Sequence, residues 1–167
     1  DIIKKDNTMK IYCDMDGVLA DFVKGAETLT GKSITDWSKG SKAEKWGEIK
    51  SKPDFWRTLP WMKGGQELWN FIKKYDTEIL SAYVEDTYDK NCIPGKKAWA
   101  STKLGLSSNK INLVKRVQKQ KYANKNSILI DDYPKNVNEF RAKGGLGVVH
   151  NGDTSRTIRL LKKFLEN

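Results

Sequence analysis

The stretch Met9-Lys-Ile-Tyr-Cys-Asp-Met-Asp-Gly17 joins a short apolar and aromatic run to two acidic residues and a glycine. This pattern predicts a β-strand over Met9–Asp14 and a tight turn at Gly17. Asp14 and Asp16 would then lie at the carboxyl end of that strand. Acidic side chains in this position are costly unless they have a purpose, because their charges crowd one another at the edge of a sheet.

Two later strands are predicted to end in polar residues as well. Ser127-Ile-Leu-Ile ends in the pair Asp131-Asp132, and the short strand Thr77-Glu-Ile-Leu ends in Ser81. Strands that alternate with helices predict a parallel sheet covered on both faces. Ligands of such sheets bind at the carboxyl ends of the strands, near the point where the strand order reverses. We therefore expect these polar residues to meet at one site.

The remaining pattern predicts an α/β protein with one core, which suits a chain of 167 residues. Further strands are predicted at Lys110–Val114 and Leu146–His150, and helices at Ala20–Leu29, Gln66–Lys74, Lys96–Leu104, Arg116–Ala123, Pro134–Ala142 and Thr154–Leu165. Residues 32–62 are rich in Trp, Lys and Ser and show no strand pattern. We predict a Rossmann-like core of residues 1–19 and 63–167, with a small helical cap, residues 20–62, inserted after the first strand.

Composition narrows the cellular setting and the partners. No apolar run approaches the roughly 20 residues of a membrane span, and residues 1–8 lack the apolar segment of a secretory signal. Cys13 and Cys92 do not make a disulfide framework, so a cytoplasmic location is expected. The single histidine, His150, is interpreted as a strand-end residue, and catalysis is not expected to use it.

The net charge of +10 suits either nucleic acid or a small anionic substrate. Because the lysines are spread along the whole chain, the small substrate is favoured and nucleic acid stays open.

The acidic residues at two strand ends predict a metal site. Four carboxylates at one edge would repel strongly, and a hard divalent cation relieves that repulsion; an all-oxygen environment favours Mg²⁺. Either acidic pair alone is better explained as ordinary capping aspartates. Both pairs together, each at a strand end, favour the metal.

The string Asp14-Met-Asp-Gly-Val-Leu-Ala-Asp-Phe22 resembles the signature of the haloacid dehalogenase superfamily, Asp-x-Asp-Gly-Thr/Val after a strand. Ser81, Lys96 and the Asp131-Asp132 pair match the other three motifs of that superfamily in the correct order. The same order argues against a response-regulator receiver domain, in which the acidic pair follows the first strand and the phosphorylated aspartate a later one.

This resemblance implies a phosphatase with distinct roles for each residue. Asp14 would be the nucleophile that forms a phosphoaspartyl intermediate, and Asp16 the acid and base. Ser81 and the backbone just beyond it at Ala82 would bind the phosphoryl oxygens. Lys96 would offset charge as the transition state forms. Lys97 is an adjacent alternative, and Lys96 is preferred because it fits a Lys-x-x-Trp pattern.

The resemblance also implies how Mg²⁺ would be held. Asp132 would bind the ion together with the side chain of Asp14 and the backbone carbonyl of Asp16. Asp131 would be a further ligand or would act through water.

Within the superfamily the chain is most similar to the 5′(3′)-deoxyribonucleotidases. The likeness rests on residues 14–22, on Phe-Trp…Leu-Pro at 55–60, on Lys-Lys-Ala-Trp at 96–99 and on Leu-Ile-Asp-Asp at 129–132, whereas Ser81-Ala-Tyr83 departs from the Thr-Ser-Pro-like motif of that family. It implies hydrolysis of deoxyribonucleoside monophosphates, with Phe22 and cap residues such as Trp46 and Trp56 stacking on the base. Two alternatives remain: a phosphatase of polynucleotide 3′-ends, suggested by the charge, and a non-catalytic nucleotide-binding module.

Overall fold

A five-stranded sheet forms the centre of the computed structural model, which describes residues 9–166. The strands are β1 (Lys10–Cys13), β2 (Asp76–Ala82), β3 (Ile111–Val114), β4 (Ser127–Asp131) and β5 (Leu146–Val149). All pairings are parallel, and the order is β3-β2-β1-β4-β5. The first strand therefore lies in the middle, with β2 on one side and β4 on the other, and the predicted α/β fold is confirmed.

Seven α-helices connect and cover the strands of the described chain. They are α1 (Phe22–Thr30), α2 (Ile34–Ser38), α3 (Lys42–Lys50), α4 (Gly65–Ile72), α5 (Cys92–Leu104), α6 (Pro134–Ala142) and α7 (Thr154–Leu165). Short 3₁₀ segments lie at Trp56–Thr58, Ser108–Lys110 and Arg116–Tyr122. Within residues 9–166, no helix combines the length and the apolar character that crossing a membrane would require.

Two elements differ most from their predictions, whereas the bounds of the other predicted strands and helices agree to within two residues. Helix α5 begins at Cys92, about one turn before the predicted start at Lys96, because Pro94 is accommodated in its first turn. Lys96 therefore does not open the helix but lies inside it. The basic segment Arg116–Tyr122 is a 3₁₀ helix rather than the predicted α-helix. Helices α6 and α7 begin and end where the sequence predicts them.

The sheet buries apolar side chains on both faces. Every residue of β4 is buried, as expected for a strand inside a parallel sheet. Ile128 and Ile130 pack in the larger apolar cluster, while Leu129 faces the opposite side and packs with Val137 and Phe140 of α6. This alternation anchors the middle strands, so that their carboxyl ends have well-defined positions.

Residues 20–62 leave the core and return to it at one place. Asp21 donates its backbone N–H to the Pro60 carbonyl, and Met62 donates to the Leu19 carbonyl at 2.7 Å. The segment between is helical, and the Ser41–Glu44 capping box fixes the start of α3. Adjacent entry and exit points are consistent with an inserted unit, although the domain boundaries after residues 19 and 62 stay a prediction.

We expect Ile130→Ala to lower the free energy of unfolding by roughly 2–5 kcal/mol, because it leaves a cavity in a fully buried strand. Val117→Ala is the matched control, since Val117 is 51% exposed, and it should change stability by less than about 0.5 kcal/mol. Urea unfolding measures both. Equal effects of the two substitutions would contradict the assignment of β4 to the core.

Candidate active site

The sheet brings the predicted polar residues to one edge. Asp14 directly follows β1, Asp131 is the last residue of β4, and Ser81 lies near the end of β2. Cys13 pairs with Ile79 on one side and Ile130 on the other, so Asp14, Ser81 and Asp131 lie at nearly the same height along the sheet. Because the chain moves outward from β1 in both directions, this edge is the switch point at which parallel sheets bind ligands.

A tight loop after β1 orients the first two acids. Asp14 donates its backbone N–H to the Ile130 carbonyl, and its Oδ1 accepts the N–H of Met15 at 2.8 Å. Gly17 has a φ of +83°, and a Cβ at this position would collide with the carboxylate of Asp132. Glycine is therefore required here both by the backbone conformation and by the close approach of the second acidic loop.

Three carboxylates converge as a candidate metal site. Ligand oxygens of Asp14, Asp131 and Asp132 all lie within 4.8 Å of one another. Asp131 is fully buried and Asp14 is 6% exposed, whereas Asp132 opens onto the pocket described below. A compact set of oxygen donors fits Mg²⁺. The side chain of Asp16 is not part of this cluster.

Lys119 completes the cluster, although no sequence motif predicts it. Its Nζ lies 3.2 Å from Asp14 Oδ1 and 2.7 Å from Asp131 Oδ2, and the residue is 2% exposed. Burial lowers the pKa of this amine, but the two carboxylates outweigh that effect and raise the pKa above its usual value. In a chain with 31 Lys and Arg residues, no pattern separates Lys119 from its solvated neighbours.

Lys96 joins the other predicted residues into a second group. Its Nζ lies 2.7 Å from Asp16 Oδ2 and donates hydrogen bonds to Ser81 Oγ at 2.9 Å and to the Ala82 carbonyl at 2.6 Å. Lys96 is 2% exposed, whereas Lys97 is exposed on the same helix. The geometry therefore favours Lys96 over Lys97 as the lysine of the site.

The acids Asp16 and Asp132 both hold protons more tightly than an ordinary aspartate. Burial raises the pKa of Asp16, while Lys96 opposes this increase and the charge of Asp14 adds to it. Loss of solvation raises the pKa of Asp132 to about 7, with further increases from the charges of Asp14 and Asp131. A raised pKa favours the protonated form of a carboxyl group, which a general acid needs.

A pocket of about 380 Å³ opens beside these groups, within the size range of small-molecule sites. Its wall combines acidic, apolar and neutral polar residues, among them Asp16, Asp132, Phe22, Met62, His150 and Asn151. The pocket therefore presents a candidate acid next to an aromatic ring.

The three predicted base-stacking aromatics form one cluster, but only Phe22 is among the residues that line this pocket. Phe22 stacks on Trp56 with ring centroids 5.4 Å apart, and Trp46 lies 6.0 Å from Phe22. Trp56 is 2% exposed, and its indole N–H donates to Asp89 at 2.8 Å. In this conformation Trp56 supports Phe22 from behind, and Phe22 is the ring that faces the pocket.

We expect Lys119→Met to destabilise the metal-free protein by roughly 3–5 kcal/mol, because it leaves buried Asp131 without its cation. Mg²⁺ should recover part of this loss by replacing the missing charge. Lys121→Met is the control, since Lys121 is exposed, and should change stability by less than about 0.5 kcal/mol. Urea unfolding with EDTA and with Mg²⁺ tests this; a loss that Mg²⁺ leaves unchanged would count against the metal site.

We expect Mg²⁺ to bind roughly tenfold more weakly at pH 6 than at pH 8, because a proton competes for Asp132, whose pKa is about 7. The folded-state pKa lies above the unfolded value, so without metal this carboxyl makes the fold less stable as pH rises from about 4 to 7. Calorimetric titration should also show proton release at pH 6. Asp132→Asn should bind weakly at both pH values; a wild type with equal affinity at the two would refute the expectation.

Comparisons with known proteins identify a shared fold. No family model matches the chain, and no curated protein matches it. A hydrolase from Streptococcus pneumoniae TIGR4 has a similar structure, with a TM-score of 0.51 and 12% identity over 96% of this chain and 100% of that one. A hydrolase from Pseudomonas syringae has a TM-score of 0.48 and 18% identity over 89% of each chain. The chain thus has the α/β fold of a known hydrolase.

Proposed function

We propose that this protein is a Mg²⁺-dependent phosphatase of the haloacid dehalogenase type that hydrolyses deoxyribonucleoside monophosphates to nucleoside and phosphate. The observation that supports it best is that two neighbouring acids have different lysine partners. Asp14 lies in the acidic cluster beside Lys119, whereas Asp16 is paired with Lys96. These different surroundings support a role in nucleophilic attack for Asp14, next to the candidate metal site, and a role in proton transfer for Asp16.

Asp14 has the surroundings of a nucleophile. Its Oδ1 accepts the Met15 N–H and lies beside Lys119, which fixes the carboxylate plane and leaves Oδ2 to attack phosphorus. In the proposed first step, a bond forms between this oxygen and phosphorus while the bond to the ester oxygen breaks. The product is a phosphoaspartyl intermediate and an alcohol.

Asp16 is suited to move the proton in both steps. Lys96 holds its Oδ2, and its buried Oδ1 has no hydrogen-bond partner among the described residues. With its raised pKa, the carboxyl group would give a proton to the leaving oxygen. The resulting carboxylate would then take a proton from the water that attacks the phosphoaspartate, which regenerates Asp14 and releases phosphate.

The residues around the proposed phosphoryl site provide positive charge and hydrogen-bond donors. Lys96 Nζ and Ser81 Oγ, 2.9 Å apart, would bind phosphoryl oxygens and offset the charge that develops on them. Ala82 contributes its carbonyl to Lys96. Its backbone N–H would be the further donor implied by the family resemblance.

Mg²⁺ would be held by Asp14, Asp132 and the backbone carbonyl of Asp16. When bound, it would neutralise the carboxylates and orient the phosphate of the substrate. Asp131 is better suited to act through water than to bind the ion directly. Its Oδ1 already accepts the Tyr133 N–H, and its Oδ2 accepts from Lys119 at 2.7 Å and from the side-chain amide of Asn136 at 3.1 Å.

A nucleoside is favoured as the leaving group because Phe22 lines the pocket next to Asp16. An aromatic face can stack on a base, which contributes roughly 1–3 kcal/mol. The net charge of +10 favours a second candidate substrate, the 3′-phosphorylated end of a polynucleotide. Asp21 lines the same pocket, however, and would repel the neighbouring phosphates of a polynucleotide.

A phosphate-release screen with Mg²⁺ tests the proposal. Its substrates are deoxy- and ribonucleoside 5′- and 3′-monophosphates, simple sugar phosphates and a 3′-phosphorylated oligonucleotide. We expect the deoxyribonucleoside monophosphates to be the best substrates. Equal activity on sugar phosphates would rule out the nucleotide assignment. Salt-sensitive activity restricted to the oligonucleotide would establish the polynucleotide alternative instead.

Asp14→Asn should lower phosphate release by roughly 10³-fold or more, because an amide cannot replace the nucleophile. Asp76→Asn is the matched control: Asp76 is exposed and begins β2 at the opposite edge of the sheet, so activity should change little. Both variants should remain folded by circular dichroism. Unchanged phosphate release by Asp14→Asn would refute the phosphatase proposal.

A further inference from the structure

Two buried side-chain atoms in residues 9–166 have no hydrogen-bond partner: Oδ1 of Asp16 and Nε2 of His150. Asp16 is explained by the proposed proton transfer, but that chemistry makes no use of His150. Both residues line the same pocket. Buried polar atoms are rarely left unpaired in folded proteins, and those that are often belong to a functional site.

The ring of His150 is held in place by its surroundings. The residue follows β5 and is 1% exposed. Its backbone N–H donates to the Asp131 carbonyl at 2.9 Å, and its Nδ1 lies 2.7 Å from Thr157 Oγ1 on α7. Because Nδ1 and the backbone N–H are already engaged, Nε2 is the polar atom of the side chain that remains for a ligand.

A hydroxyl group is the ligand that best matches this atom. Nε2 donates or accepts according to which tautomer the Thr157 contact selects, and a hydroxyl can do either. Phe22, Val23 and Met62 supply apolar surface in the pocket, as the carbon faces of a sugar require. The carboxylate of Asp21 on the same wall disfavours a second anionic group beside the phosphate.

We propose that Nε2 of His150 binds a hydroxyl of the leaving alcohol, and that His150 is a specificity-determining residue. This inference rests on the proposed nucleotidase function. For a 2′-deoxynucleoside 5′-monophosphate, the hydroxyl would be the 3′-OH of the sugar. His150 binds and orients in this proposal and transfers no proton.

The contact is tested by removing either partner, the histidine ring of the protein or the hydroxyl of the substrate, and by comparing the effects. The two substrates are a 2′-deoxynucleoside 5′-monophosphate and the 2′,3′-dideoxynucleotide with the same base, which lacks only the 3′-OH. The proteins are the wild type, His150→Leu, which removes the ring nitrogens, and His150→Gln, which keeps a polar atom near the position of Nε2. The readout is the ratio of kcat/KM for the two substrates, with Mg²⁺ present.

We expect the wild type to prefer the hydroxyl-bearing substrate by roughly 5–30-fold, the effect of one hydrogen bond to a buried group. His150→Leu should reduce this ratio to about one, and His150→Gln should restore part of it. A merely structural histidine would lower kcat/KM for both substrates together and leave the ratio unchanged.

The outcomes separate this inference from the proposed function. A wild type that hydrolyses both nucleotides equally well would overturn the role of His150 and leave the nucleotidase intact. A preference that persists in His150→Leu would also overturn it. If the wild type hydrolyses neither nucleotide, the proposed function itself fails. Should His150→Leu fail to fold, the wild-type ratio and the His150→Gln ratio still test the contact.

Discussion

The structure depends on how four carboxylates are accommodated at one edge of a parallel sheet. Asp14, Asp16, Asp131 and Asp132 follow two adjacent strands, so their mutual repulsion is built into the topology. Two buried lysines offset part of it, because Lys119 pairs with Asp14 and Asp131 while Lys96 pairs with Asp16. With every group ionised, four negative and two positive charges leave a balance of −2. A divalent cation would cancel that balance.

The two lysines also divide the site into two halves. Lys96 reaches the edge from α5, which follows β2, and Lys119 reaches it from the 3₁₀ segment between β3 and β4. Each ammonium group is almost fully buried, which is costly unless it is paired. The ion pairs therefore attach α5 and the 3₁₀ segment to the edge of the sheet, and they also affect the pKa of the acids. The same contacts give Asp14 and Asp16 different surroundings. The proposed roles of nucleophile and general acid require such a difference.

Residues that follow a recognisable strand pattern were predictable, including their meeting at one edge of the sheet, whereas contacts without such a pattern were not. Acidic residues after apolar strands are visible in Asp14 and Asp131, because strand and acid are contiguous. Lys119 was not predicted because no pattern marks it among its lysine-rich neighbours, and its contacts with Asp14 and Asp131 arise only when β1 and β4 pair. The 3₁₀ form of Arg116–Tyr122 was missed for a related reason, since residue composition does not separate it from a short α-helix. Likewise, an aromatic-rich segment does not reveal that Trp56 is covered while Phe22 faces the pocket.

In the two proposals, one unpaired atom binds the substrate and the other transfers a proton. Asp16 Oδ1 and His150 Nε2 belong to residues on the wall of one pocket, and the proposed substrate would contact both residues. Binding energy from a remote hydroxyl accelerates a reaction only if it helps to place the reacting atoms. A leaving alcohol held by His150 would have its ester oxygen fixed relative to Asp16. The effective concentration of the Asp16 carboxyl group at that oxygen would then rise. The selectivity for the alcohol and the rate at which it leaves would then both depend on the distance between His150, which follows β5, and Asp16 in the loop after β1.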